Sequence, residues 1–542
     1  MKAFAALLDD LVTTQSRNRK VALLARYMRT SSDPDRGWAL AALTDGLPLS
    51  VPLRRILPEL LGPSVDGELY RLSRDYVGDT AETVALLWPE TPASAIAGDR
   101  APAGSPRLSE VVDAFLAAPT TAYAALIGGF LDRLDTSGRF ALLKLIGGAP
   151  RVGVSARLAK TAVAEAFGHD VGEVEELWHA LDAPYGDFFA WLEGKAPRPN
   201  PGLRPVFRPM MLAHPIEADD WTGLSPGDLV AEWKWDGIRV QVAARGGQMR
   251  LFSRTGDDIS AAFPEIASAF LGRECVADGE LLVVRDGVVA PFNDLQQRLN
   301  RKVVSARMLR DYPAHVRLYD LLSVGQEDLR VLPFTARRER LEAWHRTGAP
   351  SLTDVSPIVP FADFPDLEAI WASTRDTGIE GLMLKHKDSP YLPGRPKGHW
   401  WKWKRAPLTL DCVLMYAQRG SGKRSSFYSD YTFGVWRTVD GQGGTGELVP
   451  VGKAYSGFTD QELKRLDHFV RSNTTERFGP VRAVAPGLVL EIAFDAVQRS
   501  TRHKSGIAMR FPRIARIRWD KPAAEADTLE QVIKLLQPPE PA

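Results

Sequence analysis

The stretch AEWKWDGIRVQV, residues 231–242, places Lys234 between two tryptophans and two residues before an Asp-Gly step. The alternation of apolar and polar residues after that step predicts a β-strand. Two interpretations are open for this window alone. Asp236-Gly237 is either an ordinary turn with Lys234 on the surface beside it, or the place where a strand end presents a lysine for chemistry. A match this short does not decide between them, so the rest of the chain must.

Length and composition restrict the class of protein. A chain of 542 residues is too long for one hydrophobic core and predicts about three or four domains. Lys+Arg 68 against Asp+Glu 67 leaves a formal charge of +1, so only local basic patches could attract a polyanion. Hydrophobic residues at 44% and charged residues at 25% are typical of a soluble globular protein.

The cysteines and the N-terminus indicate the compartment. Cys275 and Cys412 lie far apart and form no CxxC pattern, which favours a reducing compartment and argues against a structural zinc site. The first residues, MKAFAALLDDLVTT, lack the continuous apolar core of a signal peptide and predict a first helix instead. The sequence also lacks an apolar run long enough to span a membrane. We therefore expect a cytoplasmic protein without a membrane partner.

The first part of the chain has the spacing of helices. Apolar residues recur at three- and four-residue intervals in VALLARYM, LSEVVDAFLAA, TAYAALIGGFLDRL and SARLAKTAVAEAF. We predict an all-α N-terminal domain over residues 1–195. The stretch from Gly194 to Met210 has five prolines and no helical period, which predicts an extended linker over residues 196–209.

The pattern then changes to short strands with helical inserts. GIRVQVAA and QMRLFSR predict a hairpin with its turn at Arg245-Gly246-Gly247, and HVRLYDLLSV, GLMLKHK and HWWKWKR predict later strands. This predicts an α+β domain over residues 210–405.

Residues 406–542 are mostly strand again, with one helix at DQELKRLDHFVRS. Several strands with one helix inserted before the last favour a small β-barrel of the OB type, and a small open sandwich ranks second. A glycine-rich run, residues 441–446, lacks the strand-to-helix context of a phosphate loop and predicts a hairpin tip.

Further short motifs follow the Lys-Trp-Asp-Gly segment. In chain order they are Ser253-Arg254-Thr255-Gly256, Asp278-Gly279-Glu280, Tyr319-Asp320, Glu380-Gly381, Trp401-Lys402-Trp403-Lys404 and a basic run from Arg510 to Lys521. Each alone has a plain structural explanation, such as a turn, a hairpin loop, a core aromatic or an amphipathic strand. Coincidence does not explain all of them in this order and spacing.

This set resembles the motifs of the covalent nucleotidyltransferases, and nearly the whole chain resembles an ATP-dependent DNA ligase of the three-domain kind. KWDG matches the family's nucleophile motif, and SRTG, DGE, YD, EGLMLK and WWKWK match its pocket motifs. RFPRIARIRWDK matches the C-terminal motif, and GGAPRVGVSARLAKTAVAEAFG resembles the signature helix pair of the DNA-binding domain. The resemblance implies a multidomain fold: a helical DNA-binding domain, an α+β nucleotidyltransferase (adenylation) domain and a C-terminal β-barrel OB-fold.

The resemblance also implies roles for individual residues. Lys234 is the implied catalytic nucleophile, and Glu280 and Glu380 are the implied ligands of Mg²⁺. The resemblance places the ribose of ATP at Glu280, the adenine face against Tyr319, and the adenine edge at the backbone beside Glu232. The other nucleotide-binding residues that it implies are Arg239, Arg254, Lys402, Lys404, Arg518, Asp520 and Lys521.

Elementary chemistry agrees with these roles. A lysine amine attacks a phosphate only when it is neutral, and burial beside Trp233 and Trp235 together with nearby cations would disfavour its charge. Lys402 and Lys404 are alternate residues of one predicted strand, so they point to the same face and can neutralise phosphate oxygens together. Carboxylate oxygens are the ligands that hard cations such as Mg²⁺ prefer.

The basic run near the C-terminus has two interpretations. The alternation in RFPRIARIRW predicts a strand with a basic side, suited to phosphates and to a mobile domain that serves ATP in one step and DNA in another. A solvated charged face is the other interpretation.

The implied activity is the sealing of nicks through a lysyl-AMP and then a DNA-adenylate. The resemblance implies a monomer that encircles nicked duplex DNA in replication, repair or recombination. Capping enzymes and most RNA ligases lack the large helical front domain, and two cysteines cannot build the four-cysteine zinc module of NAD-dependent ligases. A nick-binding scaffold without catalysis is a further alternative. The intact set Lys234, Glu280, Glu380, Lys402 and Lys404 argues against it.

Overall fold

The computed structural model describes most of the chain. The described residues are 1–14, 16–89, 104–148, 150–299, 301, 303–373, 379–405, 407–420, 427–437 and 446–536. They form two compact units, one of residues 1–20, 47–154 and 406–542 and one of residues 21–46 and 155–405. The predicted hairpin tip at residues 441–446 lies, except for Gly446, outside the described residues.

The N-terminal region is helical, as predicted. Its helices are α1 Lys2–Thr13, α2 Arg17–Thr30, α3 Asp35–Leu43, α4 Leu53–Leu61, α5 Gly67–Val77, α6 Thr80–Leu87, α7 Leu108–Ala117, α8 Tyr123–Asp132, α9 Thr136–Ile146, α10 Ala156–Phe167, α11 Val171–Trp178 and α12 Gly186–Leu192. None of the helices in the described ranges combines the length and apolar character that crossing a bilayer requires.

A buried arginine joins α3 to α12. The Arg36 guanidinium binds Asp33 at 2.7 Å and Glu193 at 2.6 Å, and it lies 4.3 Å from the ring centroid of Phe189. A buried guanidinium is stable only with such partners, because burial removes its hydration. Helices far apart in sequence therefore belong to one packed unit.

The middle of the chain forms two mixed sheets with helical inserts. Its strands are β1 His214–Pro215, β2 Leu229–Lys234, β3 Ile238–Arg245, β4 Gln248–Ser253, β5 Cys275–Arg285, β6 Val288–Val289, β7 Ala314–Val324, β8 Glu327–Asp328, β9 Thr353–Val355, β10 Ile358–Val359, β11 Gly381–His386 and β12 Trp400–Lys404. Its helices are α13 Pro264–Ala269, α14 Phe292–Gln296, α15 Ala306–Asp311, α16 Phe334–Gly348 and α17 Phe364–Ser373.

The strand orders define these two sheets. The first sheet has the order β1-β12-β11-β2-β10, and the second has the order β4-β3-β5-β7-β8 with β6 on β5 and β9 on β7. The predicted hairpin is confirmed as β3 and β4, which pair from Val240 opposite Ser253 to Arg245 opposite Gln248. Gly246 and Gly247 in its turn have φ of 57° and 72°, which suits glycine.

One face of the first sheet changes character along its strands. At one end Val230 of β2 and Trp400 of β12 are buried in an apolar cluster with Ala243 and Val276 of the second sheet. Further along, the same face carries charged side chains, because alternate residues of a strand share a face. The apolar end forms the core between the sheets, and the charged end is left for a site.

The predicted linker is extended, but its second half is packed. Phe207 and Met210 are buried in the apolar cluster between the two sheets. The backbone N–H of Arg208 donates to Gln241 Oε1 at 2.6 Å, and Gln241 Nε2 donates to the Arg208 carbonyl at 3.1 Å. The chain entering the middle region is therefore attached to β3 before β1 begins.

The C-terminal region is rich in strands. These are β13 Leu408–Arg419, β14 Tyr428–Arg437, β15 Glu447–Ala454, β16 Thr474–Phe478, β17 Val481–Val484, β18 Val489–Phe494, β19 Ala496–Arg499, β20 Ile507–Arg510 and β21 Arg513–Arg518. The helices are α18 Asp460–Ser472 and α19 Leu529–Ile533. Strand pairing gives the order β15-β14-β13, with β17 and β18 both on the other side of β13 and β21 next to β18.

This curled sheet is consistent with an OB-fold. The long strand β13 pairs with β18 along its first half and with β17 near its end, so the sheet bends around it. The helix α18, between β15 and β16, places Leu466 and Val470 in the core. A capping box between Thr459 and Glu462 fixes where this helix begins.

One sequence prediction in this region is confirmed only in part. The basic strand predicted over RFPRIARIRW is β21, in which Arg513 and Arg516 are exposed, but Arg510 belongs to a strand of a different sheet. β20 ends at Arg510, and β21 begins at Arg513. Phe511 between them has a φ of 49°, which is incompatible with a strand, and Pro512 has no N–H to donate to a ladder.

A partly buried histidine lies where α11 meets β4. The His179 ring lies 4.4 Å from the ring of Phe252 and 6.1 Å from that of Phe207, measured between centroids. Burial lowers the pKa of His179 to about 4, and the nearby cations Lys160 and Arg250 lower it further in the same direction. His179 is therefore neutral in the folded protein at pH 7.

We predict an acid-sensitive loss of stability at His179. A histidine whose folded pKa lies below its unfolded value of 6.5 contributes stability that is present above pH 6.5 and is lost as the pH falls through about 4. As the pH is lowered from 7.5 to 4.5, the melting temperature of the His179→Phe variant should therefore increase relative to that of wild type at the same pH. The exposed His468 supplies the control, since His468→Gln should show no such trend. A difference between His179→Phe and wild type that stays constant with pH would contradict the prediction.

Candidate active site

Three strands of the first sheet bring the predicted nucleophile and the two motif lysines together. Lys234 of β2 lies opposite Gly381 of β11, and Gly381 lies opposite Lys404 of β12. The next row on this face is Glu232, Met383 and Lys402. The predicted shared face of Lys402 and Lys404 is thus confirmed, and Lys234 and Glu232 share it.

The row depends on a glycine at its centre. Gly381 has a φ of 140°, and a Cβ built on it would lie 2.1 Å from the carbonyl oxygen of Trp403. No side chain fits in that space without moving backbone. Glycine therefore allows β11 to enter the sheet at Gly381, directly after Glu380, whose N–H donates to the Lys234 carbonyl at 2.9 Å.

Glu380 lies between two lysines. Its Oε2 accepts a hydrogen bond from Lys234 Nζ and lies 3.2 Å from Lys404 Nζ. Burial alone would raise the pKa of Glu380, but the charges on Lys234 and Lys404 outweigh burial and hold it at about 2. The carboxylate is therefore ionised, and the Lys234 amine is engaged with it rather than free to attack.

The second sheet contributes Arg239 and Glu280, which lie opposite each other on β3 and β5. Arg239 Nη2 donates to Asp278 Oδ2 at 2.7 Å, and Nη1 donates to the Met211 carbonyl at 2.6 Å. Burial opposes the charge of Arg239, but the Asp278 carboxylate in contact with it raises its pKa well above the usual value. Arg239 is thus a fixed cation within the site.

Glu280 is the carboxyl group most affected by its surroundings. Burial raises its pKa to about 8, with further raising by Glu380 and Asp236 and opposition from Lys234 and Arg239. Gly237 lies against it: a Cβ on Gly237 would meet Glu280 Cγ at 2.7 Å and the Leu281 carbonyl at 2.6 Å. The Asp-Gly step is therefore more than an ordinary turn, because its glycine lets the chain after Lys234 pass directly over Glu280.

Tyr319 is held as a neutral phenol. Burial raises its pKa well above 10, against the influence of Arg239. The Arg239 guanidinium lies 5.8 Å from its ring centroid, and Lys385 Nζ lies 5.0 Å from it. Cations this close to the ring interact favourably with it and help to hold Tyr319 in place.

Glu232 is buried in an ion cluster that sequence reasoning missed. Its carboxylate binds Arg338 Nη1 at 2.9 Å and Lys385 Nζ at 2.5 Å, and its side chain is only 3% exposed. Burial lowers the pKa of Lys385, and Glu232 opposes that shift. Lys385 could have been found from the sequence, because it is the last residue of the EGLMLK motif. Arg338 lies on α16, and no sequence pattern around it indicates that it contacts β2. The Glu232 side chain is therefore engaged in ion pairs inside the protein. The predicted contact with the adenine edge involves the backbone beside Glu232 and stays a prediction.

The predicted phosphate-binding residues form a concentration of positive charge. Burial lowers the pKa of Lys402, and the cations Arg395, Lys404, Arg254 and Lys234 lower it further. The pKa of Arg254 is lowered in the same way, by burial and then by Arg239 and Arg395. Mutually repelling cations fit a polyanionic ligand such as a triphosphate, which would relieve the repulsion. Sequence reasoning missed Arg395.

The carboxylates also fit a divalent cation. The charge on Glu380 is among the causes that raise the pKa of Glu280, so the two carboxyl groups interact electrostatically. Within the described residues no three His, Cys, Asp or Glu side chains are grouped to hold a metal ion. Two carboxylates are enough for Mg²⁺, which usually completes its octahedron with waters and substrate phosphates. A dication near Glu280 would favour the ionised form that burial disfavours.

Comparisons with known proteins agree on one family. The model of the ATP dependent DNA ligase domain matches residues 210–404, and that of the ATP dependent DNA ligase C terminal region matches residues 424–521. A protein of Koribacter versatilis named Probable DNA ligase is 33% identical over 98% of this chain and 96% of its own. The DNA ligase 1 of Korarchaeum cryptofilum is 30% identical over 99% of this chain and 98% of its own.

The chain belongs to the ATP-dependent DNA ligase family. The fold agrees with this. The solved structure named Pmar-Lig_PreS3 is 16% identical and superposes with a TM-score of 0.57, covering 95% of this chain and 99% of that one. The middle region is thus the nucleotidyltransferase part of the ligase, between a helical N-terminal region and a β-rich C-terminal domain.

The predicted residues of the C-terminal motif lie in the other compact unit of the ligase. Arg518 Nη2 binds Asp520 Oδ2 at 2.9 Å, and Lys521 Nζ binds Asp411 Oδ2 at 2.8 Å. Arg518 Nη1 lies 3.5 Å from the same Asp411 oxygen. The Asp411 carboxylate thereby raises the pKa of Lys521. Sequence reasoning missed Asp411, whose signal is an acid inside the otherwise apolar strand TLDCVLMY.

We predict that Gly381→Ala damages both stability and the site of the ligase. A Cβ at a φ of 140° and 2.1 Å from the Trp403 oxygen forces β11 away from β12. Strain of this kind costs on the order of 1–3 kcal/mol in the free energy of unfolding. Urea unfolding measures that loss, and formation of protein-AMP from ATP should slow in the same variant. The control is Gly223→Ala, because nothing lies within 4 Å of a Cβ built there. Equal stability of the two variants would show that the Gly381 contact is unimportant.

Proposed function

We propose that this ligase seals nicks in duplex DNA through two covalent adenylates, with Lys234 as the nucleophile. The observation that supports the proposal is the row Lys234, Gly381 and Lys404, with Glu380 in contact with both lysines. A lysine, a carboxylate and further cations on one sheet face suit attack of an amine on a phosphate.

In the first step the Lys234 amine attacks the α-phosphate of ATP. A bond forms between Nζ and the phosphorus, the bond to the β-phosphate oxygen breaks, and pyrophosphate leaves. The ionised Glu380 carboxylate stabilises the ammonium form of Lys234, so the amine attacks only after it has left Glu380 and given its proton to solvent water. Lys402, Lys404, Arg254 and Arg239 neutralise the phosphate oxygens, and Tyr319 stacks on the adenine. Glu280 and Glu380 would hold magnesium, which would supply further neutralisation of phosphate charge.

The second and third steps use DNA. The 5′-phosphate at the nick attacks the lysyl-AMP, which frees the Lys234 amine and leaves AMP on the DNA end. The 3′-hydroxyl then attacks this activated 5′-phosphate and releases AMP, so the strand is sealed. The same cations neutralise the charge that develops in each step.

We propose the domain layout that accompanies this activity. Residues 1–195 are a helical DNA-binding domain, residues 196–209 a linker, residues 210–405 the adenylation domain and residues 406–542 an OB-fold domain. The strand order of the C-terminal sheet and the position of α18 between β15 and β16 support the OB assignment. The proposed working form is a monomer that encircles nicked duplex DNA.

We also propose that Arg518, Asp520 and Lys521 orient the leaving pyrophosphate in the first step. For this, Arg518 and Lys521 exchange Asp411 for phosphate oxygens. Asp520 remains on Arg518 and keeps its guanidinium oriented. A passive basic surface would have no use for a carboxylate among its cations.

We predict that Lys234→Ala abolishes the protein-AMP adduct while the protein remains folded. The lysine is partly exposed at the end of β2, and Glu380 keeps Lys404 as a partner when Lys234 is removed. Incubation with ³²P-labelled ATP followed by denaturing electrophoresis measures the adduct, and thermal melting checks the fold. Lys387→Ala is the matched control, because the Lys387 ammonium donates to a backbone carbonyl, that of Gly227, and belongs to no part of the proposed site. Labelling of Lys234→Ala at the wild-type rate would refute the proposed nucleophile.

The role of the C-terminal motif is tested by two assays on one variant. Arg518→Ala and Lys521→Ala should each slow lysyl-AMP formation on the order of 100-fold, because each removes a group that stabilises developing charge. Sealing of a nick that already carries 5′-AMP should change much less, since no pyrophosphate leaves in that step.

The exposed Arg516 on the same strand is the control for a general loss of positive charge. Arg516→Ala should spare lysyl-AMP formation. If Arg518→Ala spares lysyl-AMP formation but weakens sealing of the adenylylated nick, more so at high salt, the tract is a DNA-binding surface instead.

A further inference from the structure

The residue that follows Lys234 has no strand partner to hold it. β2 ends at Lys234 and β3 begins at Ile238, so residues 235–237 connect two strands of different sheets. Strand pairing holds Lys234 itself, but the backbone that follows it is held by side-chain contacts. Trp235, which is partly buried, makes such contacts on two sides.

The first contact is with an arginine. The Arg317 guanidinium lies 4.1 Å from the ring centroid of Trp235. Arg317 is itself fixed, because Nε and Nη2 bind the carboxylate of Asp354 at 2.9 Å and 2.6 Å, and its side chain is 13% exposed. Burial would raise the pKa of Asp354, but His315 and Arg317 hold it well below its usual value. An oriented, partly desolvated guanidinium over an indole face is a favourable cation–π arrangement.

The second contact is a hydrogen bond at the edge of the same ring. Trp235 Nε1 donates to Ser356 Oγ at 3.0 Å, and Ser356 is only 1% exposed. The backbone of Ser356 is held on both sides. Its N–H donates to the Leu318 carbonyl at 2.7 Å, and its carbonyl accepts from Arg338 Nη2 at 2.6 Å.

These contacts close a ring of interactions around the nucleophile. Arg338 also binds Glu232 at 2.9 Å, and Glu232 stands two residues before Lys234 on β2. The path therefore runs from Glu232 through Arg338 and Ser356 to Trp235. Lys234 lies between the two ends of this path, so its backbone is held before and after the reacting side chain.

We propose that Trp235 is a positioning residue for Lys234, clamped by Arg317 on its ring face and by Ser356 on its ring edge. The clamp sets the direction of the lysine toward the α-phosphate. Attack on phosphorus needs the amine in line with the leaving oxygen, and small misplacements of a reacting group are costly in rate. This inference depends on the proposed nucleophilic role of Lys234.

The test compares two reactions of the full-length protein. Lysyl-AMP formation uses Lys234, whereas sealing of a nick that already carries 5′-AMP does not form a bond to it. Trp235→Leu and Arg317→Met remove the stacking pair, while Trp235→Phe and Arg317→Lys are conservative changes. The rate of lysyl-AMP formation at saturating ATP, the half-saturating ATP concentration and the melting temperature are measured for each variant.

A second arginine on the second sheet gives a matched control. Arg285 binds Asp294 at 2.6 Å and lies 5.9 Å from the ring centroid of Tyr312, so it also joins an aspartate to an aromatic ring. It belongs to no part of the proposed site. Arg285→Met should therefore leave the rate of lysyl-AMP formation unchanged.

The clamp predicts a specific pattern. Trp235→Leu and Arg317→Met should lower the maximal rate of lysyl-AMP formation by about 10- to 100-fold, with the half-saturating ATP concentration within about twofold of wild type. Trp235→Phe and Arg317→Lys should recover part of the rate. The double variant Trp235→Leu/Arg317→Met should be no slower than the slower single variant, because both changes remove one interaction. Sealing of the adenylylated nick should stay close to wild type.

Other outcomes overturn the clamp. A raised half-saturating ATP concentration with an unchanged maximal rate would make Arg317 a nucleotide-binding residue. Multiplicative losses in the double variant, or equal losses in both reactions that follow the melting temperature, would mean a general structural role. Wild-type rates for Trp235→Phe and Trp235→Leu alike would show that the lysine needs no clamp. Adduct formation by Lys234→Ala would instead disprove the proposed nucleophile, and this outcome is distinct from a failure of the clamp.

Discussion

The close contact between Gly381 and the Trp403 carbonyl is the constraint on which the site depends. It allows β11 to pair with β2 on one side and with β12 on the other, and this pairing sets Lys234 and Lys404 in one row. Glu380 comes directly before that glycine, so its carboxylate reaches both lysines. A side chain at Gly381 would separate the strands and with them the charges.

The carboxyl groups of the site are of two kinds. Some are buried in fixed ion pairs, and others lie at the predicted ATP site. Glu232 and Asp278 are buried with fixed cationic partners, which is the condition under which an ionised group is stable in a protein interior. Glu380 and Glu280 instead lie where we propose that ATP and a metal bind. Their pKa values are displaced in opposite directions, to about 2 and about 8. Such opposed shifts between neighbouring carboxyls are typical of functional sites.

The engagement of cations by carboxylates recurs in the β-rich domain. Asp411 holds Lys521 and lies near Arg518, as Glu380 holds Lys234 and Lys404. In both places a carboxylate stands where phosphate oxygens are expected in the working enzyme. Each carboxylate offsets the repulsion between the two cations beside it.

The sequence by itself determined the family and the helical and β-rich regions, and it predicted several of the residues that the structure brings together around Lys234. Short-range pattern is enough for these, because the strand around Lys402 and Lys404, the β3–β4 hairpin and the ordered motifs are each local in the chain. Only the tertiary structure decided which charges meet. That Lys234 is engaged by Glu380, that Arg338 reaches Glu232, and that Asp411 holds the C-terminal motif are contacts between residues more than a hundred positions apart. Periodicity and propensity describe neighbours along the chain, whereas strand register and burial decide neighbours in space, and therefore which ionised groups share a low-dielectric environment.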